Sequence, residues 1–430
     1  MTRLRRATND TFRSLRIRNY RLFFVGQLVS ITGTWMQWVA QTWLIIHLGG
    51  SGLEIGIATG LQFVPVFFGA LWGGLVVDRF DRRRIVIATQ AVAAVLAVAL
   101  GVLTQINVVT IWMVYVLAFL GGWVMVFDMP ARQAFVTEMV GPEDVPNAVG
   151  LNTAVFNAGR IVGPAIGGLM IATAGFAPAF YVNAASYIAV IVALSMMNVG
   201  ALNRESLAPK SRGQVREGLR YIWSTPELRT VAVVLGVIGT FGFNFTVILP
   251  LMAKNTFHGG AGTYSLLTSI MAGGSLIGSL MSAHRSRPTA KFLVISGGAF
   301  AAALALAAAA PTVALESIAL IPAGAAGIAF LATANSQFQL RTPAFLRGRV
   351  MAFYSLVFVG GTAVGGPIAG WISEVFGAPM GFMLGAVTSG ASVLWAVRRN
   401  RRSAKRAATP SLDVEAAAID GLAREASATA

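Results

Sequence analysis

The chain has 430 residues, of which 56% are hydrophobic and only 12% charged, about half the charge of a soluble domain; apolar runs of about 20 residues recur along it, the length that crosses a bilayer. Composition therefore excludes a soluble globular protein, and the absence of cysteine excludes disulfides and cysteine-held metal. The formal net charge is +16, but the basic residues sit in short clusters between apolar runs, not in the continuous stripe that marks nucleic-acid binding.

Residues 1–20 hold six arginines and lack the apolar centre of a cleaved signal peptide. They read as a cytoplasmic amphipathic leader, with Phe12, Leu15 and Ile17 available to the membrane surface. Apolar spans are expected at 21–48, 54–77, 85–105, 110–131, 147–174 and 178–198, forming an N-terminal six-helix bundle over 21–198. A polar, basic central loop covers 199–228. Six more spans follow near 229–252, 263–283, 291–310, 315–340, 348–376 and 380–397, a second bundle over 229–398. The tail, 399–430, starts basic, turns alanine-rich and reads as disordered. The expected fold is an all-α polytopic membrane protein of twelve transmembrane helices. If both termini are cytoplasmic, 31 of the 33 basic residues fall inside or beside cytoplasmic segments, as the positive-inside rule asks. The two exceptions are Lys254, outside, and Arg160, within a span.

Two stretches carry the clearest patterns. The loop after the second span reads Gly74-Leu-Val-Val-Asp78-Arg79-Phe80-Asp81-Arg82-Arg83-Arg84. Here Gly74 would permit close packing, Asp78 could approach the positive N-terminal end of another helix, and Arg79, Arg82 and Arg83 could pair with acids or lipid phosphates. The fifth span reads Gly150-Leu-Asn-Thr-Ala-Val-Phe-Asn-Ala-Gly159-Arg160-Ile-Val-Gly163-Pro164-Ala-Ile-Gly167-Gly168. Each glycine costs a soluble helix roughly 1 kcal/mol against alanine; in lipid such small residues let helix backbones approach. The halves look duplicated. Gly163-Pro164 in span five is matched by Gly366-Pro367 in span eleven, and the alignment sets Ala363 opposite Arg160.

The first stretch resembles the signature between helices two and three of the major facilitator superfamily, with Asp81 where the family usually has a second glycine. The second resembles the helix-five motif of drug–proton antiporters in that superfamily, with Gly150, Gly159, Gly163, Pro164, Gly167 and Gly168 all in place. From Arg13 to about Arg398 the chain is similar to the branch that includes macrolide-efflux and enterobactin-export proteins. The resemblance implies two six-helix bundles, alternating access and export, with the loop acting as a conformational latch that includes Asp81.

Charges within the spans need a purpose. Arg160 lies roughly 20 Å deep at 1.5 Å per residue, where an unpaired arginine costs about 2.5–3.5 kcal/mol, so it should face a wet cavity or a carboxylate. Asp128 is the nearest candidate in sequence. It either exchanges a proton and couples proton entry to export, or forms a permanent bridge to Arg132 or Arg160 or a cap on the neighbouring loop. Gln37, Gln41, Trp43, Gln62, Phe63, Phe243, Asn244 and Phe245 are the expected cavity residues, suited to bulky amphipathic cargo. No catalytic set, metal cluster or nucleotide loop is expected. The partners would be a small molecule, the bilayer and protons, the energy source a proton gradient rather than ATP, and the site an inner membrane. The competing readings are a metabolite or lipid exporter or flippase with other coupling, and a non-transporting membrane sensor or scaffold.

Overall fold

The computed structural model describes residues 12–203, 214–283 and 289–401; most of the leader and of the tail expected to be disordered lies outside them. A 3₁₀ turn, Arg13–Arg16, precedes six long helices: α1 (Arg18–His47), α2 (Gly52–Arg79), α3 (Arg82–Gln105), α4 (Ile111–Val140), α5 (Val145–Ala174) and α6 (Ala177–Ser195). The central segment contributes a short amphipathic helix, α7 (Gln214–Ser224). There follow α8 (Pro226–Phe241), α9 (Phe245–Leu251), α10 (Ala261–Ala283), α11 (Ala290–Ala308), α12 (Val313–Leu340), α13 (Ala344–Val375) and α14 (Ala378–Arg401).

The helix ends follow from local chemistry. Ser51 and Glu54 form a capping box at the start of α2, which satisfies two otherwise orphaned backbone donors. Asp81 caps α3 by accepting from the Arg84 N–H at 3.1 Å. α4 and α5 stop at Gly141 and Gly175, whose φ angles of 75° and 82° are left-handed and favour glycine.

Among the described residues, eleven stretches are long and apolar enough to cross a membrane. α8, α9 and a wider turn over Met252–Thr256 together make one of them, Pro226–Thr256. The apolar run here reads as one unbroken span, but the helix breaks at Gly242–Asn244, and broken spans occur where they line a cavity. α1 is as long as α4 or α5, 30 residues, yet is not among the eleven; Gln27, Gln37 and Gln41 lower its apolarity. Outward-facing Phe68 and Trp72 are 70% and 71% exposed, a surface that suits lipid rather than water.

α1 packs on α5 and α6, α2 on α4, and α3 on α4 and α6; in the second set α12 packs on α10 and α11, and α13 on α8. α14 joins that set through Phe382, whose ring meets Phe245 at 5.8 Å, and through Val393 against Gly297. Two seams unite the sets: α2 against α13 and α5 against α10.

Glycine sets the closeness of these seams and of the α5–α1 contact within the first set. A Cβ on Gly159 or Gly163 would lie 2.6 Å from Ile31 Cγ2 or from the Thr32 oxygen of α1, and one on Gly168 would lie 2.6 Å from Ser265 Cβ of α10. At the α2–α13 seam, a Cβ on Gly52 would sit 2.6 Å from the Gly370 oxygen, and one on Gly60 2.9 Å from the Ala363 oxygen. Pro367 lacks the N–H that would normally bond the Ala363 carbonyl. Likewise Pro130 leaves the Val126 carbonyl without its helical donor, and a Cβ at Gly73 would collide with that oxygen.

Two expectations fail here. Gly74 has open space around its Cβ position, and so has Gly150. The close contact at the end of α2 belongs to Gly73, because neighbouring helical residues point about 100° apart and only that one faces α4.

Candidate functional site

The molecule has a basic end, carrying the Asp78–Arg84 loop and α7, and a far end, carrying the Gly49–Ser51 turn. Toward the far end the two sets close on each other. Besides the glycine contacts, the Gly52 N–H donates to Glu374 Oε2 at 2.7 Å, and Ser269 donates to the Ile161 carbonyl at 2.8 Å.

Behind this closure lies a chamber of about 330 Å³, shared by both sets. Trp38, Thr59 and Phe63 come from the first set; Phe243, Phe245, Thr268 and Phe358 come from the second. Phe243 stands at the α8–α9 break, stacked on Phe300 at 4.9 Å and edge-on to Phe358 at 5.6 Å. A second chamber of about 340 Å³ lies within the first set and extends toward the basic end, past Gln27, Gln90, Asp128, Arg132 and Asn152. Trp35, Trp38, Gln41, Gln62 and Phe156 line both, so the two are lobes of one space. A separate 680 Å³ basin beside His47 and Tyr181 lies among the far-end loops, away from these groups.

Asp128 sits in the inner lobe with its acceptor sites occupied. Oδ1 accepts from Thr89 at 2.7 Å and from Gln90 Nε2 at 3.0 Å. Oδ2 accepts from both Arg132 Nη2 at 2.6 Å and Nε at 3.0 Å. This is a charge-assisted pair in which two N–H groups converge on one carboxylate oxygen, and it falls to Arg132 rather than Arg160. Arg160 lines the shared lobe, with its guanidinium carbon 5.6 Å from the Trp35 ring centre and its Nε without a hydrogen-bond partner.

Other expected site residues are spread more widely. Gln37 lines the inner lobe and accepts from Asn183 at 2.7 Å. Trp43 and Asn244 do not line either lobe. Trp43 turns toward α10 and stacks on Tyr264 at 6.2 Å; Asn244 is fully buried and donates back to the Thr240 carbonyl at 2.7 Å. In the loop, Asp78 and Arg79 end α2 and Asp81 caps α3, while Arg82 pairs with Glu138 at 2.7 Å. Arg83 donates to the Leu194 carbonyl at 2.8 Å, at the C-terminal end of α6 where a cation is favoured. Among the carboxylates, Glu316 is fully buried with both oxygens unpaired.

Thr89, Gln90, Gln27 and Asn152 are site residues that motif reading passed over. One signal was available: Gln27, Ser30, Thr34, Gln37 and Gln41 recur every three or four residues on α1, a single polar face, and all five line the inner lobe.

Two helical sets enclosing a shared polar and aromatic chamber, in a chain rich in membrane-crossing helices, are the build of a membrane carrier, and the matching family model places the chain in the major facilitator superfamily. The chain belongs to the transmembrane secretion effector family of that superfamily, whose model matches residues 9–426. The multidrug efflux pump Tap of Mycolicibacterium fortuitum is 35% identical over 221 residues, covering 50% of this chain and 54% of the pump. The chain therefore spans about half the length of that relative. The enterobactin exporter EntS of Citrobacter koseri is 24% identical over 374 residues, 83% of this chain and 85% of the exporter. Among solved structures the nucleoside transporter NupG is similar, with a TM-score of 0.72 at 14% identity, over 89% of this chain and 98% of that one; this likeness bears on the fold alone. The family is one of membrane transporters, and these relatives are transporters rather than enzymes.

Proposed function

We propose that the chain is a secondary exporter of hydrophobic or amphipathic small molecules, working by alternating access and driven by inward proton flow. In this reading α1 is the twelfth crossing helix, the basic end and both termini are cytoplasmic, and the far end faces outward across a prokaryotic inner membrane. The observation that carries the proposal is the two-lobed chamber, shut at the far end by the glycine seams and reaching toward the basic end. That is the arrangement of a carrier waiting for cargo from inside. Similarity to an efflux pump and a siderophore exporter supports export and a drug, macrolide-like or siderophore cargo.

The Asp128–Arg132 pair is the proposed coupling device. A proton arriving on Asp128 cancels the charge that holds Arg132, so proton binding and the shape of the inner lobe are linked. Arg160 presents its unpaired donor to cargo in the shared lobe. The Asp78–Arg84 loop, with Asp81, Arg82 and Arg83 bound to groups of the first set, is the proposed inner latch, closing when the far end opens.

The test uses inverted vesicles energised by respiration, with a dye reporting internal acidity and drugs, macrolides and catecholate siderophores added singly. A cargo should discharge the acid gradient in vesicles holding the wild-type chain and not in those holding Asp128→Asn. Discharge that persists in the Asn variant removes the coupling role from Asp128. Cargo uptake without proton movement keeps export and discards the proton gradient.

A further inference from the structure

The inner lobe contains more hydrogen-bonding capacity than the protein uses. Gln27 of α1 is fully buried, and neither atom of its side-chain amide has a partner. Gln90 of α3 is 2% exposed; its Nε2 donates to Asp128 Oδ1, an oxygen that only accepts, so the amide orientation is fixed and Oε1 is left unpaired. Asn152 of α5 also has an unpaired, buried Oδ1. Three helices thus bring amide groups to the wall of one lobe, and native proteins leave few buried polar atoms unmatched without a reason.

The sign of this surplus is specific. It consists of three carbonyl oxygens against one amide NH2 group, that of Gln27. The neighbouring charges do not offset it, because Asp128 is engaged by Arg132, Thr89 and Gln90. The adjoining lobe is aromatic and carries the positive Arg160. A lipophilic cation without hydrogen-bond donors would leave the three acceptors unpaired and would meet Arg160 with like charge. A wholly apolar molecule would leave them unpaired too, at about tenfold in affinity for each.

We propose that the cargo is a polyhydroxylated amphiphile, uncharged or anionic. Its hydroxyl groups donate to Gln27, Gln90 and Asn152, and its apolar body fills the lobe between Trp38, Phe63 and Phe243. This rests on the exporter reading and narrows it by chemical class.

The probes are quercetin, which carries five hydroxyl groups, and its pentamethyl ether, which keeps the skeleton and removes every donor. Both are titrated by calorimetry into the full chain in lipid nanodiscs, beside tetraphenylphosphonium as a donor-free cation. Quercetin should bind at least about tenfold more tightly than either other probe. Combined Gln27→Leu and Asn152→Leu should bring quercetin and its ether within about twofold. Should that double variant fail to fold, Gln27→Met keeps the side-chain shape and should still shrink the preference several-fold. Equal binding of quercetin and its ether to the wild-type chain overturns the proposal, as does a preference that survives in both variants. If the ether or the cation binds best and discharges protons in the vesicle assay, export stands and the donor-reading lobe falls. If no probe binds and none moves protons, the exporter reading falls and takes this one with it.

Discussion

Adding one methyl group to the far-end seam should hold the transporter open on that side. A Cβ at Gly56 would lie 2.8 Å from the Gly366 carbonyl carbon and from Pro367 Cα, and closer still to the Gly366 oxygen. Both sides of this contact are helix backbone, so relief requires the two helices to part by about 1 Å, not a side chain to turn aside. Overpacking of this kind costs about 1–3 kcal/mol, and the cost falls only on the arrangement in which the halves touch. Gly56→Ala should therefore favour the far-end-open arrangement by roughly 5–150-fold. The assay is direct because the chain has no cysteine. Thr246→Cys places one reporter in the chamber wall, and a membrane-impermeant maleimide is applied to intact cells. Labelling should accelerate at least several-fold in the Gly56→Ala background and stay unchanged with Gly262→Ala, whose Cβ position is open space. Equal labelling in all three backgrounds would refute the idea that Gly56 and Gly366 must separate for the far end to open.

Other perturbations test separate parts of the structure. Glu316→Leu should raise the thermal stability of the purified protein by about 1–3 kcal/mol, since it removes a buried acid with two unpaired oxygens; a lower melting temperature would mean that Glu316 has a task. Gly163→Ala should destabilise by roughly 1–3 kcal/mol, because its Cβ would lie 2.6 Å from the Thr32 oxygen, whereas Gly150→Ala, with open space, should stabilise by about 0.4–1 kcal/mol. Thermal melts that rank the two alike would refute the packing assigned to α5. Arg160→Ala should abolish transport in the vesicle assay while leaving the protein folded. Normal transport would reduce Arg160 to a residue resting on Trp35.

Local spacing made part of this legible. Gly159, Gly163 and Gly167 lie four residues apart and so share one helix face, and all three meet α1. Asp128 was conspicuous because few carboxylates occur within the spans. What could not be read depends on where other helices lie. Gly73 and Gly74 are neighbours in sequence, and only the position of Val126 on α4 decides which must be small. Trp43 and Trp38 are five residues apart on α1, yet one stacks on Tyr264 of α10 and the other lines the chamber. The break at Gly242–Asn244 is hidden in an apolar run, since hydropathy is blind to backbone direction. The unpaired acceptors of the inner lobe come from α1, α3 and α5, and no spacing along one helix could unite them.

The carbonyls released by Pro130 and Pro367 give bending and docking a common origin. Each proline that bends its helix also exposes the oxygen that a glycine on the next helix comes to cover: Gly73 over Val126 within the first set, Gly60 over Ala363 between the sets. Such Cα–H···O contacts are weak singly and involve no rotamer that must be searched for again. In the proposed transport cycle the first of these joints lies inside a bundle that moves as one piece and works as a weld. The second lies where the halves would part and works as a clasp, able to open and reseat with nothing to repack.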